Sequence, residues 1–394
     1  MESRELPLHP NLEQYKKQAK DLLKAHKAGD AKAMERIRQW HPHAREVTEP
    51  SLADTQLVLA REHSFESWPK FAKYVQELGQ TNSPFAEFER AVDAVVNGDA
   101  AILREMLRQK AELVHARSPR AHQATLLHYV SANGVEDYRQ KTPENAVEIA
   151  TILLDAGAQV DAVADAYGKS TTLGLTATSM HPVRAGVLIP LLELLLARGA
   201  SLDGAPGGWN IVNACLANGR KIGSEFIASR GATLDLEGAA GVGRLDVVKS
   251  FFDEDGSLKP NATKTQMESG FIWACEYGRA EVADFLLDLG VDRSTYRQHK
   301  LTGLHWAAIS GDLDTVKAVL KHKPPLEARN VWGGTPLDGA IWAAKESDLN
   351  NPLWPKADWV PIIELLLQAG ANIHAVECPT GHPRIDETLR RYGR

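Results

Sequence analysis

The chain has 394 residues, 43% hydrophobic and 24% charged, a composition that suits a well-cored protein or a long repeat array. Its formal charge of −6 argues against a bulk nucleic-acid binder, which carries a basic excess. Cys215, Cys275 and Cys378 are too few and too scattered for a disulfide framework and suit a reducing cytoplasm. The start, MESRELPLHPNLEQYKKQAK, has no apolar core of a leader, and apolar runs such as Val187–Leu196 are too short for a membrane span. The expected localisation is cytoplasmic, with no nucleic-acid or membrane partner.

In chain order, Leu12, Tyr15, Ala19, Leu22 and Leu23 have helical spacing. Gly29-Asp30 stops this helix and restarts another over Ala33–Trp40, which His41-Pro42 ends. A third spans Leu52–Glu62, opened by Thr48 or Ser51, and Ser67 is placed to cap a fourth over Lys70–Leu78. Residues 1–79 therefore read as an N-terminal helical domain, followed by a polar linker at 80–84.

From Phe85 onward the sequence repeats. The clearest unit is LHWAAISGDLDTVKAVL at 304–320, a helix, a glycine turn and a second helix. A second copy, FIWACEYGRAEVADFLLDLG, opens at Phe271, 33 residues before Leu304. Counting each opening residue as position 1, the turn glycine falls at position 8. That register picks out Gly98, Gly134, Gly219, Gly243, Gly278 and Gly311. Eight units then open at Ala91, Leu127, Leu173, Val212, Leu236, Phe271, Leu304 and Leu337. The third and eighth have Met180 and Ala344 at the turn, so both turns are expected to be remodelled. Small residues such as Ala307-Ala308 allow close helix approach, and Val316, Val319 and Leu320 form an i, i+3, i+4 apolar face. A single helix pair cannot bury such a face alone, so the units must stack.

This period and pattern resemble the ankyrin repeat family. The resemblance implies an all-α ankyrin-repeat solenoid over residues 85–378, with residues 1–79 as an N-terminal helical capping domain and 379–394 as a C-terminal capping helix. The stretch LADTQLVLAREHSFESWPKFAKYV also looks like the small helical segment that precedes ankyrin repeats in many bacterial proteins, which implies a bacterial origin. His128 and His305, at position 2, are expected to hydrogen-bond between repeats, as in that family.

Three repeats are longer than the register requires. From position 1 to the glycine ending the second helix, the regular unit has 19 residues (Phe271 to Gly290). Repeats 2, 3 and 8 exceed this by 11, 7 and 14. All three insertions lie between the first and second helices, on one edge of the array. Repeat 2 adds Val135–Lys141, after which Thr142-Pro143-Glu144 reads as an N-cap, Pro at N1 and an acidic first turn. Repeat 3 adds the stretch around His181-Pro182-Val183-Arg184, and repeat 8 adds Asn350–Trp359. Between repeats 4 and 5 the connection from Gly231 to Leu236 is only 5 residues, against 14 from Gly290 to Leu304. A projecting hairpin finger is missing there, and a break in the array is expected.

Sharp catalytic motifs are missing: there is no H-E-x-x-H, G-x-S-x-G or C-x-x-C. Gly168-Lys169-Ser170-Thr171 ends like a phosphate-binding loop, but the glycine required five residues earlier is Val163, so a finger turn is the reading. His115, His122 and His128 are too widely spaced for a zinc site, and no metal or cofactor is expected. In the ankyrin family, finger tips and positions 6 and 7 line a groove that contacts partners. The resemblance thus makes Tyr167, Lys169, Trp209, Glu276, Tyr277, His299, Trp332 and Trp342 candidate contacts for a protein partner. Aromatic residues in such places offer large contact area at low entropic cost. The expected function is a protein-binding scaffold or regulator. The alternative is an enzyme or small-molecule binder with a pocket walled by the repeat 2 and 3 insertions, using Asp137, Tyr138, Arg139, His181 and Arg184.

Overall fold

The computed structural model describes residues 3–7, 10–78, 83–348 and 357–393. Most of the linker expected at 80–84, and of the insertion expected at Asn350–Trp359, lies outside the described residues. The chain divides into two compact units, Met1–Ile227 and Ala228–Arg394.

The first unit opens with four helices, α1 (Leu12–Lys27), α2 (Ala31–Trp40), α3 (Leu52–Glu62) and α4 (Trp68–Leu78). Local side chains set their starts: Asn11 and Asp30 accept backbone N–H groups at 2.8 Å, and Ser51 with Asp54 forms a reciprocal capping box. Tyr15, Ala60, Phe65, Phe71, Tyr74 and Val75 form one buried cluster, and Leu22, Ala33, Ile37 and Val58 another.

The repeats follow as α5 (Pro84–Asn97), α6 (Ala100–Gln109), α7 (Leu126–Tyr129), α8 (Ala146–Asp155), α9 (Thr172–Thr178), α10 (His181–Arg184), α11 (Leu188–Ala197), α12 (Ile211–Ala217) and α13 (Lys221–Ser229). The repeat 3 insertion is the short helix α10. In repeat 2 the second helix begins later than its sequence signal suggests. It starts at Ala146, and Thr142 does not cap it: the Thr142 hydroxyl is buried with no hydrogen-bond partner among the described residues. Residues 143–145 instead pack onto the preceding repeat's turn. Asn145 Nδ2 donates to the Gly98 carbonyl at 2.9 Å, and a Cβ on Gly98 would lie 2.9 Å from Pro143 Cβ.

The second unit contains α14 (Leu236–Val242), α15 (Leu245–Lys249), α16 (Lys264–Glu276), α17 (Ala280–Asp288), α18 (Gly303–Ser310), α19 (Leu313–Lys321), α20 (Pro336–Asp348), α21 (Val360–Gln368) and α22 (Pro383–Arg391). The opening residues of its four repeats, Leu236, Phe271, Leu304 and Leu337, are at most 1% exposed and share one apolar cluster with Val316, Ile362, Ile385 and Leu389. α20 runs straight through Ala344, the position where other repeats turn. The indole of Trp359 then donates to the Ala308 carbonyl at 3.0 Å, tying the end of the repeat 8 insertion to the preceding repeat.

The register is written into the backbone. Gly98, Gly134, Gly219, Gly243, Gly278 and Gly311 all have φ between 69° and 78° or at 82°, the left-handed region that ends a helix without a Cβ penalty. Fingers are short hairpins, clearest as Val163–Ala164 pairing antiparallel with Ser170–Thr171. Single bridges, Arg117 with Thr125 and Tyr296 with Thr302, mark two more. No strand or bridge occurs among the described residues of the short Gly231–Leu236 connection. His128 accepts the Thr125 N–H at Nδ1 (3.1 Å) and donates from Nε2 to the Ala162 carbonyl (2.9 Å). Burial pushes this imidazole down to about 4, so it stays neutral and structural. His305 repeats the arrangement, with Nε2 3.2 Å from the Gly334 carbonyl.

Candidate functional site

Two kinds of place in the first unit collect polar side chains: a closed network and an open cavity. The network grows from the repeat 2 insertion. Glu136 and Arg139 turn inward, where they meet Glu89 of α5 and Arg120, which precedes α7. Arg120 donates to Glu89 at 2.6 Å, pairs with Glu136 at 2.7 Å, and contacts the Tyr74 hydroxyl at 3.2 Å. Arg139 donates to Glu89 and, at 2.9 Å, to Asp93. Burial drives the Glu89 and Glu136 carboxyls up, but the Arg120 and Arg139 guanidiniums overcome it and hold both below the ordinary carboxylate value. Burial likewise pushes Arg120 toward neutrality, and Glu136 and Glu89 reverse the effect, so the cluster is ionic throughout. Tyr138 is half-buried beside it, with Arg139 5.5 Å from its ring centre. Asp137 is exposed and accepts the Ser3 N–H at 2.8 Å.

The cavity, about 610 Å³, lies among α9, α12 and the neighbouring finger tips. Leu175, Ile211 and Ala214 give it an apolar lining, and Tyr167, Lys169, His181, Trp209 and Arg220 supply rings and cationic groups. Tyr167 is 66% exposed and Trp209 63% exposed, so each ring presents most of its surface. The Tyr167 hydroxyl donates to Asn133 Oδ1 at 3.2 Å, which fixes the tip. Tyr167 and Lys169 also hold φ of 50° and 87°, a region costly for residues with a Cβ.

The two sets of residues expected from sequence are therefore re-sorted. Tyr167, Lys169 and Trp209, expected on a partner groove, share a cavity with His181, expected in an insertion pocket. Of the five insertion residues, His181 alone lines it. Arg139 and Tyr138 turn to the network, Asp137 meets the N-terminal stretch, and Arg184 is exposed. The reason is electrostatic: Glu89 and Glu136 are buried carboxylates that need a second cation, and Arg139 is within reach. Glu89, Arg120, Glu136, Asn133, Ile211 and Arg220 carry no motif, and their partners lie far along the chain, so the sequence offered no signal for them.

In the second unit, Trp332 is 71% exposed and its ring lies 4.8 Å from that of His299, whose backbone is also left-handed at φ 58°. The Val331 N–H donates to the His299 carbonyl at 2.9 Å, joining consecutive tips. Trp342 is 48% exposed. Position 7 departs from the expected contact surface: Tyr277 is buried. Glu276, half-buried, has its carboxyl pushed up to about 7 by burial, with Arg297 opposing. Cys215 and Cys275 are buried thiols, Cys215 pushed up to about 12 by burial, and neither is a poised nucleophile. Asp284, Asp288 and His322 bring ligand-type atoms within 4.8 Å of one another, but Lys321 Nζ sits 3.0 Å from both Asp284 oxygens, as in a surface ion-pair cluster. No helix among the described residues is long and apolar enough to cross a membrane.

A family model described as ankyrin repeats (3 copies) matches residues 236–330 and, overlapping, 271–377. Residues 236–377 are ankyrin repeats. With the same glycine turns and histidine pairing in the first unit, the fold is all-α and built of ankyrin repeats behind an N-terminal group of helices. Among solved structures, the chain is similar to the crystal structure of the human ASB11 ankyrin repeat domain, at 19% identity over 72% of this chain and 98% of that one, with a TM-score of 0.37. No curated protein matches.

Proposed function

We propose that this ankyrin-repeat chain is a protein-binding scaffold that works in the cytoplasm and contacts its partner through the groove lined by its finger tips and by the exposed side of its first helices. The contact residues are Tyr167, Lys169 and Trp209 in the first unit, and His299, Trp332 and Trp342 in the second. Glu276, half-buried, is a further contact in this reading. In the same reading, residues 1–79 act as a cap on the first repeat.

The observation that carries this reading is the exposure of ordered aromatic rings at finger tips in both units. Trp332 at 71%, Tyr167 at 66% and Trp209 at 63% are held on hairpins with internal hydrogen bonds rather than on loose ends. Large apolar rings exposed on pinned backbone are what interface hot spots require, because little side-chain or loop entropy is lost on binding. The catalytic alternative lacks comparable support. The buried charges of the repeat 2 insertion, Glu136 and Arg139, are paired with Arg120 and Glu89, and the buried Cys215 thiol is held protonated.

The test is capture of a partner by the immobilised full chain from its own cells, identified by mass spectrometry. The Trp209→Ala/Trp332→Ala double variant is expected to lose the captured protein, and Arg184→Ala, a change at an exposed insertion residue outside the cavity, to retain it. Capture that survives the tryptophan changes refutes the assignment.

A further inference from the structure

The cavity of the first unit is electrostatically one-sided. In a chain of formal charge −6, its lining carries Lys169, Arg220 and His181 but no carboxylate. Its volume of about 610 Å³ falls within the range of ligand-enclosing sites, ~300–1,000 Å³. Arg220 is built into the wall: its Nε donates to the Thr178 carbonyl at 3.0 Å. Lys169 stands at the tip and makes no side-chain hydrogen bond or ion pair among the described residues. Burial, with Arg184 adding to it, holds His181 below its ordinary value, so at neutral pH it offers hydrogen bonds rather than charge.

The remaining lining narrows the class of anion. Leu175, Ile211 and Ala214 provide an apolar floor, with the Tyr167 and Trp209 rings at the rim. Gln140 and Asn218 spend their amide N–H groups internally, on the Val135 carbonyl at 2.9 Å and the Ala214 carbonyl at 2.8 Å. Their side-chain oxygens are acceptors suited to a peptide N–H. A bare phosphate would want clustered backbone N–H groups, whereas the Gly168–Thr171 turn uses Thr171 to cap α9 by accepting the Gly174 N–H.

We propose that this cavity takes an acidic peptide segment of the protein partner, with a carboxylate on Lys169 and a neighbouring aromatic or aliphatic side chain on the floor between Tyr167 and Trp209. This assignment rests on the scaffold reading and specifies the chemistry of the segment recognised. An ammonium group at the rim of an apolar floor, in a lining without a carboxylate, rewards a carboxylate and a hydrophobe presented together and penalises a basic segment.

The test is selection of a random dodecapeptide phage library on the full chain, followed by fluorescence polarisation of the enriched peptides. Enriched sequences are expected to be net acidic and to carry Phe, Tyr, Trp or Leu beside Asp or Glu. Lys169→Glu is expected to weaken them about tenfold or more. Lys323→Glu, the same charge change in the second unit, is expected to leave affinity within about twofold. A synthetic copy of the best peptide with its acids changed to Lys is expected to bind Lys169→Glu better than the original chain, an outcome that a misfolded variant cannot give. Enriched peptides without acidic excess, bound equally by Lys169→Glu, overturn the anionic assignment while leaving the scaffold reading intact. A chain that selects no peptide overturns this inference whatever the partner-capture experiment returns.

Discussion

The two units bury different things. In the second, successive repeats open with Leu236, Phe271, Leu304 and Leu337, and these residues share one continuous hydrophobic cluster. In the first, a repeat that carries extra residues turns Glu136 and Arg139 inward against Glu89 and Arg120, so an ionic network sits where a regular repeat has none. Regular spacing lets apolar faces alone specify stacking. An inserted loop that must find one position among many instead uses charges whose misplacement is severely penalised. The network also reaches the Tyr74 hydroxyl and stacks the Arg120 guanidinium 5.2 Å from its ring centre, which ties α4 to the repeat.

The strongest way to break this contrast is Arg120→Ala. It leaves two buried carboxylates sharing Arg139 as their remaining guanidinium, and about 3 kcal/mol of stability is expected to vanish from the first unit. Segment-resolved hydrogen exchange checks it: protection in α3, α4, α5 and α7 should fall, while α16 and α18 stay as they were. Wild-type protection throughout the first unit would mean that the network holds nothing together.

The apolar counterpart is Leu304→Ala in the second unit, a fully buried position. Loss of its side chain is expected to cost about 3 kcal/mol, seen as a lower denaturant midpoint. Gly303→Ala sharpens the point from the opposite side. A Cβ there would lie 2.4 Å from the Phe271 ring, so overpacking of about 1–3 kcal/mol is expected. If either change weakens α5 and α7 instead of α16 and α18, the division of the cores is misplaced.

The buried carboxyls Glu89 and Glu136 of the first unit and Glu276 of the second should contribute to pH dependence in opposite directions. Glu89 and Glu136 are held below the ordinary carboxylate value of 4.5. Their contribution is present above 4.5, the unfolded value, and is lost as pH falls through their folded values, so the first unit weakens in acid. Glu276 is raised from 4.5 to about 7, so its contribution is complete below 4.5 and is lost as pH rises through about 7. Exchange corrected for its intrinsic pH dependence should show protection near α16 declining between about pH 5 and about pH 8. Glu276→Gln should flatten that decline. A carboxyl resonance of Glu276 titrating near its ordinary value would remove the basis of this prediction.

The sequence revealed what is periodic. The position-8 glycines, the position-2 histidines and the opening apolar residues are local signals repeated along the chain, and each is found in the backbone or core it implied. What depended on long-range pairing was not legible. Nothing around Arg139 in sequence announces Glu89, 50 residues earlier, so the arginine looked like a free pocket group. Thr142-Pro143-Glu144 carried a sound capping signal, yet packing of Pro143 and Asn145 against Gly98 delayed the helix to Ala146. The cavity was half-visible: Tyr167, Lys169, Trp209 and His181 stood out individually, but only the fold brings them around one space with Ile211 and Arg220.

The smallest expected effect is the most informative about function. Trp332→Ala and Trp209→Ala remove rings that are 71% and 63% exposed. Little apolar area leaves or enters water on folding at such positions, so the stability change of each should stay within about 0.5 kcal/mol. Trp332 loses its contact with the His299 ring at 4.8 Å, which is exposed and contributes little to the fold. Equal denaturant midpoints for wild type and double variant, beside a lost partner, would place these rings in recognition. A drop of about 2 kcal/mol or more would show that the tips brace one another, as buried core residues do, and the tryptophans would then have to be assigned to the fold rather than to a partner.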